Sequence, residues 1–265
     1  VAARQLRTQG FAVTVGSLGI PGAVISRPFQ DLAIQSGRTD VLFNLTQSAM
    51  PFVKKDATLV TVFTGANDVN VMTSALGRGT GGNDPAAFVD QQVAQFSADF
   101  AALMAGIRDL ARGAQIVVFN LPNLGGLPYL ASASLSQKQA AQRASVKMTT
   151  TVINTTPNVR VIDLMCDARF YQTSTFSSDG FHPSDTGYAY MAAGIVTALT
   201  ASAYPAPNAA CASRREAAIS KRFGTPLSGS VWPGMSSRDR GAALRRRSGR
   251  PFPQPIDVFD QFFDQ

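Results

Sequence analysis

Apolar and polar positions change period repeatedly along the chain, and each change marks an element. Ala2, Ala3 and Leu6 alternate with Arg4 and Arg7 at helical spacing, and Gly10 suits the stop of a helix. "FAVTV", Phe11 to Val15, alternates as a strand does and runs into the turn-rich "GSLGIPG". "ATLVTVFTG", Ala57 to Gly65, is a β-branched apolar run of buried-strand type, followed by polar "ANDVN". Phe88 to Leu110 returns to helical spacing with Phe88, Phe96, Phe100 and Met104 as core positions, and "QIVVFNLP" is again a strand. "SQKQAAQRASVKMTTTVINTT" predicts a helix, "NVRVIDL" a strand, and "SDTGYAYMAAGIVTALTASAY" a last helix on which Tyr188 and Tyr190 pack. Such alternation of strand and helix predicts an α/β fold, a mostly parallel sheet covered on both faces.

The pattern stops near Pro205, which divides the chain into a folded domain over 1–204 and a tail over 205–265. The tail is rich in Arg, Gly, Pro and Ser, holds the only Trp, Trp232, and is expected to be disordered. From Ala212 onward it carries ten Lys/Arg against five Asp/Glu, and so most of the net charge of +7; the rest, with fourteen basic and twelve acidic residues, is nearly balanced. Basicity belongs to the tail, where it suits a solvated appendage or an arm for an acidic surface. A nucleic-acid role for the body has little electrostatic support. No run of 18 or more apolar residues exists, so no membrane span is expected. Two cysteines, Cys166 and Cys211, and one histidine are too few for a structural zinc site, and no cofactor is expected. The cysteines fit a disulfide of an exported protein or two free thiols, and their spacing does not decide between them.

In a parallel α/β sheet ligands bind beyond the carboxyl ends of the strands. Three polar clusters fall there: "GSLGIPG", "TGANDVN" and "SSDGFHPSD". The third contains His182, three places after Asp179. Histidine changes protonation near neutral pH and serves as a general base, and a carboxylate that fixes its tautomer completes the pair. Gly180 lets the chain bend between them, and Pro183 stiffens the exit. Asn67 follows a strand end and Gly65, where its amide could donate to an oxyanion; Asp68 reads as a brace for the loop. Each motif alone is ordinary turn chemistry. "GRGTGG", Gly77 to Gly82, formally fits a dinucleotide fingerprint but begins about a dozen residues after a strand end, which the fingerprint does not allow. It reads as a loop before a helix starting at Pro85 and capped by Asn83 or Asp84.

Together the motifs are specific. Gly65-Ala66-Asn67-Asp68 resembles the G-x-N-D block of the SGNH (GDSL-type) serine hydrolases, and Asp179-Gly180-Phe181-His182 is similar to their closing D-x-x-H block. "SLGIPGAVIS" resembles the second block, which places its oxyanion glycine at Gly22. The resemblance runs over about Val1 to Ala203 in order and context. It implies a flavodoxin-like three-layer α/β/α sandwich and a serine esterase or lipase-like hydrolase acting on small-molecule or lipid esters without a metal. In that scheme His182 is the base, Asp179 orients it, and Asn67 and Gly22 hold the oxyanion. The family's nucleophile lies in a G-D-S block, and none occurs in the sequence. The first strand and its serine are therefore expected upstream of Val1, where a signal peptide would place the protein outside the cytoplasm. Ser17 is a weak substitute for the nucleophile, and Ser26, Ser178 and Ser184 are weaker. The second reading is a hydrolase-fold domain that binds a ligand, or acts as a scaffold, without turnover.

Overall fold

Three apolar runs become the sheet. The computed structural model describes residues 1–208 and 211, so the expected tail, with Trp232, lies outside the described residues apart from 205–208 and 211. Strands β1 (Leu59–Val62), β2 (Gln115–Phe119) and β3 (Arg160–Ile162) pair in parallel in the order β1-β2-β3. Val60 stands beside Ile116, and Val118 beside Val161. β2 is buried along most of its length, as expected of the middle strand of a parallel sheet.

Among the described residues seven α-helices flank the sheet: α1 (Ala2–Thr8), α2 (Arg27–Gln35), α3 (Leu45–Ser48), α4 (Ala66–Gly77), α5 (Pro85–Leu110), α6 (Leu135–Lys147) and α7 (Asp185–Thr200). The crossovers β1-α4-α5-β2 and β2-α6-β3 advance in the same direction across the sheet, and right-handed crossovers of that kind share a face. Accordingly α4 packs on α2, α5 and α6, whereas α1 packs on α7, which lies against β3. This is the expected α/β architecture, with helices in two groups about a parallel sheet.

Local chemistry sets the helix ends. Asp84 accepts the Ala87 N–H at 2.9 Å, with Pro85 in the first turn, so the glycine-rich segment before it is a helix-to-helix connection, as expected. Ser134 and Gln137 form a reciprocal capping box at α6. After Lys147 the helix widens into a π-type turn over Met148–Ile153.

The strand expected at Phe11–Val15 does not form. Residues 11–20 carry no regular structure, and Phe11 and Val15 are 50% and 40% exposed. A strand exists only when paired, and among the described residues none stands beside this one. Among the described residues no strand pairs with β1 on the side away from β2, although the run is apolar enough for the middle of a sheet.

Cys166 and Cys211 form a disulfide. It ties the loop after β3 to the end of the described chain, where the Asn208 N–H also donates to Asp163 at 3.0 Å. A bridge across 45 residues restricts the unfolded chain and contributes about 2–4 kcal/mol.

Candidate active site

The histidine loop is built by one carboxylate. Phe176 and Pro183 pair across it as an antiparallel bridge, and the Ser177 N–H donates to the His182 carbonyl at 2.8 Å. Inside the loop, Asp179 Oδ1 accepts the Ser177 hydroxyl at 2.7 Å and the N–H groups of Phe181 and His182 at 2.8 and 3.0 Å. Its second oxygen, Oδ2, lies 2.5 Å from His182 Nδ1. Burial pushes the Asp179 carboxyl up, but the hydrogen bonds from the His182 ring, Phe181 N–H, Ser177 hydroxyl and His182 N–H outweigh it and bring it down to about 2. Since Asp179 is ionised, the short contact requires a proton on Nδ1, which puts the lone pair of the neutral ring on Nε2. The ring is 44% exposed and so is not buried in hydrocarbon.

Gly180 is required where it stands. Its φ is +71°, and a Cβ there would meet the Tyr129 nitrogen at 2.7 Å. This close approach lets the Tyr129 N–H donate to the Gly180 carbonyl and stacks Tyr129 edge-on against Phe181, with ring centroids 4.8 Å apart. Phe181 in turn packs edge-on against His182.

The second half of the site joins the end of β1 to the turn before α2. Gly65, at φ +107°, caps α4, and a Cβ there would be strained and would crowd Leu121 and Phe96 at 3.1 and 3.2 Å. Two residues on, Asn67 Nδ2 donates to the Ala23 carbonyl at 2.9 Å. That bond uses one of the two amide hydrogens and holds Asn67 against the turn containing Gly22, itself at φ +70°. Among the described residues the Gly22 N–H donates to no acceptor. Asp68, the expected brace, accepts the Ile25 N–H at 2.9 Å.

Thus Asp179 meets His182, and Asn67 meets the Gly22 turn. Tyr129 touches Phe181 and lies within electrostatic reach of Arg38. Arg38 pairs with Asp40, whose carbonyl sits against Gly22. Burial pushes the Tyr129 hydroxyl well above the usual phenol range, with Arg38 pulling the other way.

A family model, GDSL-like Lipase/Acylhydrolase, matches residues 2–195. The chain belongs to the GDSL-like lipase/acylhydrolase family. No curated protein matches it.

Of the serines named as substitutes for the nucleophile, Ser26 and Ser184 are committed to other partners, whereas Ser17 and Ser178 are exposed. Ser17 is exposed on the irregular segment 11–20. Ser26 is buried and gives its hydroxyl to Asp99 at 2.5 Å. Ser184 caps α7 and donates to the Ser174 carbonyl, and Ser178 is exposed within the histidine loop. Four further groups contact the motif residues: Ser177, the Phe181 N–H, Tyr129 and Asp99. A serine two places before the aspartate of D-x-x-H was a readable signal for the first; the others are contacts between distant segments. Tyr188 of α7 also lies near: burial pushes its hydroxyl up to about 12, and the Asp179 charge adds to the rise.

Proposed function

We propose that this acylhydrolase cleaves carboxylic esters of small molecules or lipids by serine acyl transfer, with His182 as general base, Asp179 as its orienting carboxylate, and Asn67 and the Gly22 N–H as oxyanion donors. The observation that carries this reading is the 2.5 Å contact between Asp179 Oδ2 and His182 Nδ1, made by a carboxylate that stays ionised. A loop that needed only a turn would have no use for a ring fixed in one tautomer and left accessible.

In this mechanism the serine Oγ attacks the ester carbonyl carbon while its proton passes to His182 Nε2. The carbonyl oxygen becomes an oxyanion between Asn67 and Gly22. Collapse breaks the bond to the alcohol, which takes the proton from the imidazolium and departs. Water then repeats the sequence on the acyl-serine, releasing the acid. Asp179 keeps its negative charge throughout and stabilises the imidazolium. Each oxyanion donor is worth about 10²- to 10³-fold in rate.

The nucleophile of the proposal is a G-D-S serine at the end of a strand paired to the open side of β1, encoded upstream of Val1. The Cys166–Cys211 disulfide supports an oxidising compartment. Labelling with a fluorophosphonate tests the proposal. The chain extended upstream through an in-frame G-D-S should be labelled at that serine, and residues 1–265 alone should not. An extended chain that resists labelling, or labelling of Ser17 in the shorter one, would overturn the mechanism; the first result would favour the ligand-binding reading.

A further inference from the structure

The turn that presents Gly22 is held from below at three of four successive positions. Asn67 takes the carbonyl of Ala23, Asp68 takes the N–H of Ile25, and Asp99 takes the hydroxyl of Ser26. The first two belong to α4 and the third to α5. Asp68 differs from its neighbours in two respects: it is fully buried, and its second oxygen, Oδ2, has no hydrogen-bond partner. A buried carboxylate with half its lone pairs unmet is costly, and a proton on the unmet oxygen removes the charge.

We propose that Asp68 is a positioning residue of the oxyanion pocket, whose carboxyl clamps the 20–26 turn tightly when protonated and weakly when ionised. The inference rests on reading Gly22 and Asn67 as the oxyanion donors. The geometry sets the direction. With a proton on Oδ2 the group is neutral, and Oδ1 still accepts the Ile25 N–H. Without it, the negative charge sits in the interior opposite Asp99, and water reaches it only when the turn lifts. Burial, reinforced by Asp99 and opposed by the N–H groups of Ile25, Asp68 and Gly65, pushes the Asp68 carboxyl up to about 7.

Of the charged side chains on the elements packed against α4, Asp99 is the one acting on Asp68. Arg27 and Asp31 of α2 pair with each other at the surface. Asp90 of α5 pairs with Arg143 and Lys147 of α6, and Lys138 of α6 reaches the Ala131 carbonyl.

The sign follows from linkage. The lifted turn exposes an ordinary aspartate, which loses its proton near pH 4, while the closed turn keeps the proton to about pH 7. Between those values the closed form binds one more proton, so raising the pH favours opening by about tenfold per pH unit, and the effect levels off above 7. Hydrogen exchange of the 20–26 amides in the 265-residue chain, divided by their intrinsic rates, reads this directly. Protection should fall about tenfold per unit from pH 5 to 7 in the wild type. It should be independent of pH in Asp68→Asn. Ser26→Ala should keep the slope at lower overall protection. A flat wild-type profile, or an equal slope in Asp68→Asn, would overturn the clamp. Should Asp68→Asn fail to fold, Asp99→Asn takes its place: the plateau should then begin at a lower pH, and an unmoved plateau would overturn the clamp. Exchange needs no nucleophile, so the clamp and the oxyanion reading fail separately. If Asn67→Ala leaves ester hydrolysis by the serine-bearing chain unchanged while the exchange slope persists, the oxyanion reading falls and the clamp stands.

Discussion

Replacing His182 with alanine in the serine-bearing chain is expected to lower kcat for a p-nitrophenyl ester by about 10⁴-fold, or roughly 5 kcal/mol of transition-state stabilisation. His182 is the sole histidine of the sequence. The loop also excludes replacement from close by, because Ser177, Asp179 and the backbone around them are committed to one another. KM should change little, since in the proposed mechanism the ring acts on the proton in flight rather than on bound substrate. The fold should survive: the ring is partly exposed, and the N–H groups that secure Asp179 are backbone. Stability is therefore expected within about 1 kcal/mol of wild type. Steady-state hydrolysis together with a denaturation curve separates the two effects. A loss below tenfold in a folded variant would remove His182 from the base role.

The second large effect is structural. Phe96→Ala should destabilise the domain by about 3–5 kcal/mol in urea unfolding. Phe96 is completely buried on α5. It meets Phe29 of α2 edge-on, stacks on Phe100 with centroids 5.7 Å apart, and lies 3.2 Å from where a Cβ on Gly65 would stand. One ring thus supports the helix after the Gly22 turn and the glycine that opens α4. Truncation leaves a cavity beneath Gly65 and α2, which close packing cannot refill without moving one of them. A change below 1 kcal/mol would mean that the helices on this face collapse onto the gap.

The three strands were legible because β-branched runs such as Leu59–Val62 and Ile116–Val118 have few other places to go, and α5 because its apolar spacing persists for many turns. α4 was not. Its first turn carries Asn67 and Asp68, residues that favour caps and turns, and the helix holds because Val69, Val71, Met72 and Ala75 are buried in the core. α2 and α3 escaped for a related reason: short helices depend on tertiary contacts, such as the Val24–Asn44 bridge, more than on period. Phe11–Val15 had the pattern of a strand but no partner, and pattern supplies no partner. Within the site, Asp179 and His182 stood close enough in sequence to be read as a pair. Tyr129, Asp99 and Arg38 come from other segments and carry no local signal; the fold alone brings them to the rim.

Because the chain has one histidine, the nitrogen-15 resonances of its imidazole need no assignment, and the tautomer can be measured in residues 1–265 without any nucleophile. At a pH where the ring is neutral, the expected spectrum has the proton on Nδ1 and the bare lone pair on Nε2, with Asp179→Asn abolishing that preference. A ring protonated on Nε2, or a tautomer mixture unchanged by Asp179→Asn, would contradict a general base at His182.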